Sequence, residues 1–456
     1  MIHFHHTKKI LLFSLLSISS HILIAQDLGN IKQAKPVKFS GNIGASASYY
    51  NSNESYKSRP PYSWNLYGNL TPTVYGISLP VSFTISQYGK SYTQPFSQFG
   101  LSPTYKWIKL HVGYRYMQFS PLTYDGQSFR GAGLELTPKH FRFAAFYGKL
   151  NKKVNEDTTG GKFALPQFSR KGYGVKIGVG NYSNYFDLIY LHAKDDSSSA
   201  KVINKQNIAA MENTTIGTAL RLTLLKKIIL TNDFAISGLT RDIADTTKAR
   251  DTASFFSNLM NKLNKPNAST VTDWATQSML QFILKGYTST IGYRMVRPGF
   301  KSLGTPYMLN DVELINWLNN LSLEKGKLNI TAMLSSQHNN LDKKLASEIK
   351  TRTGTMNTSA VMSQHFSLNL NYTGYIIQQA DGLQKLTDST RLNQVIHQMS
   401  ITPIYTSTAN GRSNSVSSNI SYMILNDKNP QTSGYTNSNN LSASLNYTMG
   451  LVKKAM

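Results

Sequence analysis

Seven charged side chains hold the chemistry that this chain could do. Arg115, Lys176, Arg221 and Arg294, with Glu135, Asp187 and Asp233, fall on the polar parity of segments whose other parity is apolar. A cationic lining relieved by a few acids favours anionic solutes, as rings of charged side chains do in channels. A tightly filled interior, in which the same charges pair with one another, would use the same residues. Both readings stand at this point.

Catalysis would need a constellation, and the sequence offers none. His111, His140, His192, His338, His365 and His397 lack metal-ligand spacing, and no Ser/His/acid grouping stands out. In His397-Gln398-Met399-Ser400 the histidine and serine have opposite parity and face opposite ways. GxGxxG, P-loop and GxSxG patterns are absent. We therefore expect no catalytic residue, no metal and no cofactor.

The elements that must position these charges are clearest between Gln277 and Asp311. Tyr287, Ser289, Ile291, Tyr293 and Met295 fall on one face, and Thr288, Thr290, Gly292, Arg294 and Val296 on the other. The preceding segment has the same rule and meets this one at a turn around Lys285-Gly286. Each is about ten residues long, the span of a tilted transmembrane strand. Val37 to Tyr49, Tyr62 to Val74 and Ile77 to Ile85 repeat the pattern, and it continues to Asn437–Met449. Pro72, Pro80 and Pro103 lie inside such segments, where a missing donor predicts a bulge or a position near a rim.

Connections sort by length. Those near Gly76, Lys106–Ile108, Pro138–His140, Gly180–Asn184, Leu225–Lys227, Lys285-Gly286, Glu324–Gly326, Gln364-His365 and Ser407–Gly411 are short, whereas those between them are long and polar. Outer-membrane barrels show this alternation of short periplasmic turns and long extracellular loops, and a soluble sandwich has no reason to. The expectation is an all-β, transmembrane, antiparallel up-and-down barrel of about twenty strands with its N-terminus in the periplasm.

Bulk properties agree with that expectation. The chain has 456 residues, 40% of them hydrophobic, and beyond its start no apolar run is long enough for a spanning helix. Residues 1–25 read as a secretory signal peptide, with Lys8 and Lys9 before an apolar stretch and cleavage after Ala25. His3, His5 and His6 belong to that leader. Residues 26–36 follow as a periplasmic segment, 37–449 as the barrel and 450–456 as a tail. There is no cysteine, so no disulfide or thiolate site holds the fold. A net charge of +25 would suggest nucleic acid in a cytosolic protein, but the leader and the lack of basic runs exclude it.

Lys106, Lys109, Lys139, Arg142, Lys226, Lys227, Lys285, Lys325 and Lys327 flank the short turns, opposed only by Glu324. They could reach from that rim to anionic headgroups, or simply solubilise the turns. The longest loop, Thr240 to Asp273, contains SFFSNLMNKL from Ser254 to Leu263, which predicts a short helix capped by Ser254. It reads as a lid or a surface decoration. Pro298, Gly299, Phe300, Lys301 and Gly304, in the loop that ends at Asp311, should fix a path over or into the barrel mouth.

QPFSQFGLSPTYKW (Gln94 to Trp107), FRGAGLEL with FRFAAFYGKL (Phe129 to Leu150), ISGLTRD (Ile236 to Asp242) and above all RPGFKSLGTPYMLND (Arg297 to Asp311) resemble a family of Bacteroidota outer-membrane β-barrel proteins of mostly unassigned function. The resemblance implies a large barrel associated with secretion or display of big surface proteins. The ending GLVKKAM departs from the aromatic final strand that barrel-assembly machinery is expected to read. Either Asn437–Met449 closes the barrel, or the chain stops at a periplasmic turn with its last hairpins missing.

The functional expectation is a channel or transport route for solutes across the outer membrane. The alternative is a non-conducting scaffold or partner subunit in secretion or surface display. Expected partners are outer-membrane lipid and lipopolysaccharide, the barrel-assembly machinery, and secreted or surface proteins.

Overall fold

Alternation of apolar and polar residues produces strands because successive side chains point to opposite faces. In the computed structural model the described residues are 37–51, 61–87, 98–156, 166–202, 208–249, 254–387, 389, 391–409 and 411–451. The leader, the segment 26–36 and residues 452–456 lie outside them. One antiparallel sheet contains β1 (Val37–Tyr49), β2 (Tyr62–Val74), β3 (Ile77–Ser78), β4 (Val81–Ser86), β5 (Gln98–Leu101), β6 (Thr104–Tyr105), β7 (Ile108–Tyr116), β8 (Ser128–Leu136), β9 (Phe141–Asn151), β10 (Ser169–Gly180) and β11 (Tyr185–Asp196). It continues with β12 (Glu212–Leu224), β13 (Ile228–Thr240), β14 (Thr270–Leu284), β15 (Tyr287–Val296), β16 (Val312–Leu323), β17 (Leu328–His338), β18 (Ser347–Val361), β19 (Phe366–Asp381), β20 (Asn393–Ala409), β21 (Arg412–Asp427) and β22 (Ser438–Leu451).

All three prolines lie at a strand break or near the short-turn rim, as expected. β3 and β4 are one crossing interrupted at Leu79-Pro80, and β5 and β6 are one interrupted at Ser102-Pro103, so the 22 strands make twenty crossings. Carbonyls at both breaks still find donors: Pro80 accepts from the Ser102 N–H at 2.9 Å, and Pro103 from the Leu110 N–H at 2.9 Å. Pro72 stays in β2 opposite Phe39, beside the strand's end at Val74 and the Tyr75-Gly76 turn, where its carbonyl accepts from the Leu79 N–H at 2.8 Å. Among the described residues β22 pairs with β21 and β1 with β2, with no ladder between β22 and β1.

The outward face is apolar and exposed. Val179 is 63% exposed, Leu188 54%, Ile291 45%, Ile315 53% and Leu334 58%. A surface of this kind is stable only against hydrocarbon, which identifies it as the lipid-facing wall of a transmembrane barrel. Short turns and long loops alternate between the twenty crossings, giving a short-turn rim and a long-loop rim.

The helix in the longest loop spans Phe255–Asn261 (α1). Ser254 occupies its N-cap position, but without the side-chain hydrogen bond expected of it. α1 lies against the outer side of β13 and β14, where the Phe234 ring is 6.1 Å from Phe256 and 6.0 Å from Trp274. Met260 is buried there, beside Gly238.

Candidate functional site

Loops in a barrel are free to stay outside, so a loop with large apolar residues needs somewhere to bury them. Residues 117–127, between β7 and β8, contain Met117, Phe119, Leu122 and Tyr124, all 5% exposed or less. Residues 297–311, between β15 and β16, contribute Phe300 and Leu303. Both loops fold inward and meet: Tyr124 forms a β-bridge with Gly304, and the Ser302 hydroxyl donates to the Thr123 carbonyl at 2.6 Å. Together they form a plug packed on the inner wall between β8 and β16.

The wall under the plug is built for it. Phe119, Tyr124 and Leu303 pack with Phe129 of β8, Phe146 of β9 and Ile189, Leu191 and Ala193 of β11. Tyr124 stacks on Phe146 with ring centroids 4.4 Å apart, and Phe146 on Phe129 at 4.9 Å. A second cluster joins Leu122, Ala235, Ala275, Val296, Phe300 and Val312. Asn213 stitches the loop to the wall, donating to the Lys301 carbonyl at 3.2 Å and accepting from the Leu303 N–H at 3.0 Å. The Gly299 N–H donates to Asp273 at 3.0 Å, and Asn310 donates to the Pro298 carbonyl at 2.6 Å. Asp311, with a positive φ of 55°, accepts the backbone N–H groups of Asn340 and Leu341 in the next long loop. Pro298, Gly299 and Gly304 lie along this inward path.

Within the plug, the Tyr124 hydroxyl is buried without a hydrogen-bond partner. Burial among these rings pushes its phenol well above the ordinary value, so it stays protonated. An unsatisfied buried hydroxyl costs roughly 1–3 kcal/mol. We expect Tyr124→Phe to stabilise the folded barrel by about 1 kcal/mol, read as a higher urea midpoint in vesicles, and a lower midpoint would contradict this.

All seven charged residues singled out from the sequence lie on the inner face, but they do not form one cluster. Glu135 and Asp187 are paired. Asp187 binds Arg142 through two contacts of 2.8 and 2.9 Å, and Arg142 also stacks on Tyr185 at 4.1 Å. Glu135 accepts from Lys109 at 3.0 Å and contacts His111 at 2.7 Å. Asp233 faces Ser120 of the plug. Of the nine basic residues near the short turns, Arg142 and Lys109 do neither of the two things open to them in the sequence: they point inward, and each has an acid. Parity, not distance from a turn, decides which way a strand residue faces.

The four cations differ from the acids. Arg115 donates to the Pro80 and Gly100 carbonyls and the Ser82 hydroxyl, and Lys176 to the Gln118 carbonyl at 3.3 Å while lying over the Phe119 ring. Arg221 sits over Tyr182, and Nε of both Arg221 and Arg294 has no hydrogen-bond partner. Among the described residues none of the four forms an ion pair. The inner face therefore carries a positive surplus beside the plug.

Two arrangements were not read from the sequence. On the far side of the lumen, Asn320, Thr331, Asn357, Asn371, Ser400, Ser421 and Ser442 stand opposite one another across seven strands. Thr331 donates to Asn320 at 2.9 Å, and Asn371 to Ser400 at 3.2 Å. Such a wall is polar, uncharged and wettable. The other arrangement is a chain from Ser102 to His111 Nδ1 at 2.9 Å and from His111 Nε2 to Glu135 at 2.7 Å. It has the residue types of a nucleophilic triad, against the expectation that none would be grouped. Ser102 and His111 are 5% and 2% exposed, so no substrate reaches the hydroxyl, and the chain braces the strand break at Pro103. Its members lie in the break between β5 and β6, on β7 and on β8, with spacings that no local motif would flag.

No protein-family profile matches the chain, and no curated relative matches it either. Solved structures similar to it include OpdQ of Pseudomonas aeruginosa, at 13% identity and a TM-score of 0.40 over 80% of this chain and 96% of that one. OccAB2 of Acinetobacter baumannii has 10% identity and a TM-score of 0.38, covering 85% and 97%. Wzi of Escherichia coli, described as a carbohydrate-binding outer-membrane β-barrel involved in group 1 capsule assembly, has 10% identity and a TM-score of 0.36, covering 79% and 83%. Likeness at this level says nothing of what the chain does.

Proposed function

We propose that this protein is a barrel of the bacterial outer membrane that conducts small anionic solutes through a lumen narrowed by its own loops. The long loops then face outward, and the N-terminus lies in the periplasm. An export leader at residues 1–25, a cysteine-free chain and a lipid-facing wall support the compartment. One observation carries the selectivity: Glu135 and Asp187 are in ion pairs, whereas Arg115, Lys176, Arg221 and Arg294 have no acidic partner among the described residues. Cations without a directly bonded acid, in a narrow, partly dewatered passage, lower the energy of an entering anion more than they would in bulk water. The Asn/Ser/Thr wall opposite supplies hydrogen bonds without trapping charge.

Reversal potentials of the purified, refolded protein in a planar bilayer under a salt gradient test this. Wild type should prefer chloride over potassium, and Arg221→Gln with Arg294→Gln should move the reversal potential toward zero. Absence of conductance at every voltage would sink the channel reading. It would leave a non-conducting scaffold for secretion or surface display, which the fully buried Leu122, Tyr124 and Phe300 in the mouth would then favour.

A further inference from the structure

Like charges directly opposite on neighbouring strands destabilise a sheet. On the outer wall near the long-loop rim this occurs three times in succession. Arg130 of β8 pairs in register with Lys149 of β9, Lys149 with Lys171 of β10, and Lys171 with Lys194 of β11. All four side chains are exposed. Lys194 has an acid, Glu212, at 3.0 Å, and Asp196 faces Lys171 and Lys149 from the top of β11. Arg130, Lys149 and Lys171 form no ion pair among the described residues. Two acids beside four cations spaced at strand separation, about 4.8 Å, leave a positive surplus that a further anion would relieve.

The residues below the row show where it lies. Tyr147 opposes Tyr173 one step toward the membrane, and Arg130 lies over the Tyr114 ring at 5.7 Å. Further down the same face come Val175 and Tyr190, then Ile177 and Leu188, then Val179 and Phe186. Cations, then tyrosines, then aliphatic residues is the order in which a wall passes from headgroup to hydrocarbon. The row is therefore level with lipid phosphates.

We propose that Arg130, Lys149, Lys171 and Lys194 form a binding site for a phosphorylated glycolipid of the leaflet at the long-loop rim, one whose headgroup carries more than one phosphate. A single phosphate contacts two neighbouring cations, and the row extends across four strands. Acyl chains would lie along Tyr173, Ile177 and Val179. This rests on the proposed orientation, in which that leaflet is the outer one.

The test uses the full-length protein in detergent micelles, with bisphosphorylated lipid A, monophosphorylated lipid A and inorganic pyrophosphate as probes. Wild type should bind the bisphosphorylated lipid most tightly, and Lys149→Gln with Lys171→Gln should weaken that binding on the order of tenfold or more. Lys226→Gln with Lys227→Gln, at the opposite rim, should leave it unchanged. Equal binding by wild type and the first variant, equal losses in both variants, or pyrophosphate competing as well as the lipid would each overturn the site. Because the chain has no cysteine, Lys344→Cys in a long loop can be labelled in intact cells by a membrane-impermeant maleimide. Labelling with no lipid binding would overturn the row alone. Lipid binding with no labelling would overturn the orientation, and with it the leaflet assigned.

Discussion

Replacing Gly304 by valine should open the barrel: conductance should rise several-fold over wild type, or appear where wild type is silent. A β-carbon at Gly304 would lie 2.5 Å from the Leu191 side chain, 2.5 Å from the Thr123 carbonyl and 2.8 Å from the Tyr124 ring. None of these can yield cheaply. Leu191 belongs to the wall, the Thr123 carbonyl is backbone already holding Ser302, and Tyr124 is stacked on Phe146. The loop must leave the plug instead. Exposing Phe300 and Leu303 costs roughly 1.5–3 kcal/mol each, so a lower unfolding midpoint should accompany the larger conductance.

Gly299→Val should act in the same direction but more weakly. Its β-carbon would meet the Val271 side chain at 2.8 Å and an Asp273 oxygen at 2.9 Å, and both can rotate away. A Gly304→Val barrel that folds with wild-type conductance would show that the plug does not limit passage. Comparing the two glycines separates the fixed path of the loop from a general loss of packing.

How far this site was legible in the sequence depends on the range of each contact. Parity alone placed Arg115, Lys176, Arg221 and Arg294 on the inner face, because alternation is local and survives in any one strand. The twenty crossings and the breaks at Pro80 and Pro103 were equally local. A constrained path over or into the mouth could be expected for residues 298–304 from Pro298, Gly299 and Gly304, but its counterpart could not. Residues 117–119 continue β7 in sequence, yet the strand ends at Tyr116, and Met117 and Phe119 turn into the lumen. Their signal was present as four large apolar residues in a loop that should have been polar. Pairing was beyond reach: Arg142 with Asp187, or Ser102 with His111 and Glu135, joins strands whose mutual register only the folded sheet defines. The Asn/Ser/Thr wall was hidden differently. Each strand shows a few unremarkable polar residues, and only stacking them in register makes a surface.

Register also predicts a large electrostatic effect. Asp187→Asn should destabilise the barrel by roughly 3–5 kcal/mol, the usual consequence of removing one partner from a buried ion pair. The Asp187 side chain is 1% exposed and that of Arg142 20%, so little water is available to replace the lost carboxylate. Space for the pair is built in: Gly178 stands opposite Asp187, and a β-carbon there would collide with the carboxylate. Lys176, two residues away on the same face, shares the field of that carboxylate and would lose it as well. Asparagine keeps the shape and one acceptor, which isolates the charge from the packing. Adding Arg142→Gln should recover much of the loss, since neutral partners leave no buried cation behind. Urea midpoints in vesicles for both singles and the double measure the coupling directly. Additive losses would mean that lumen water, not the ion pair, solvates Arg142, and the plugged part of the barrel would then be wetter than its packing indicates.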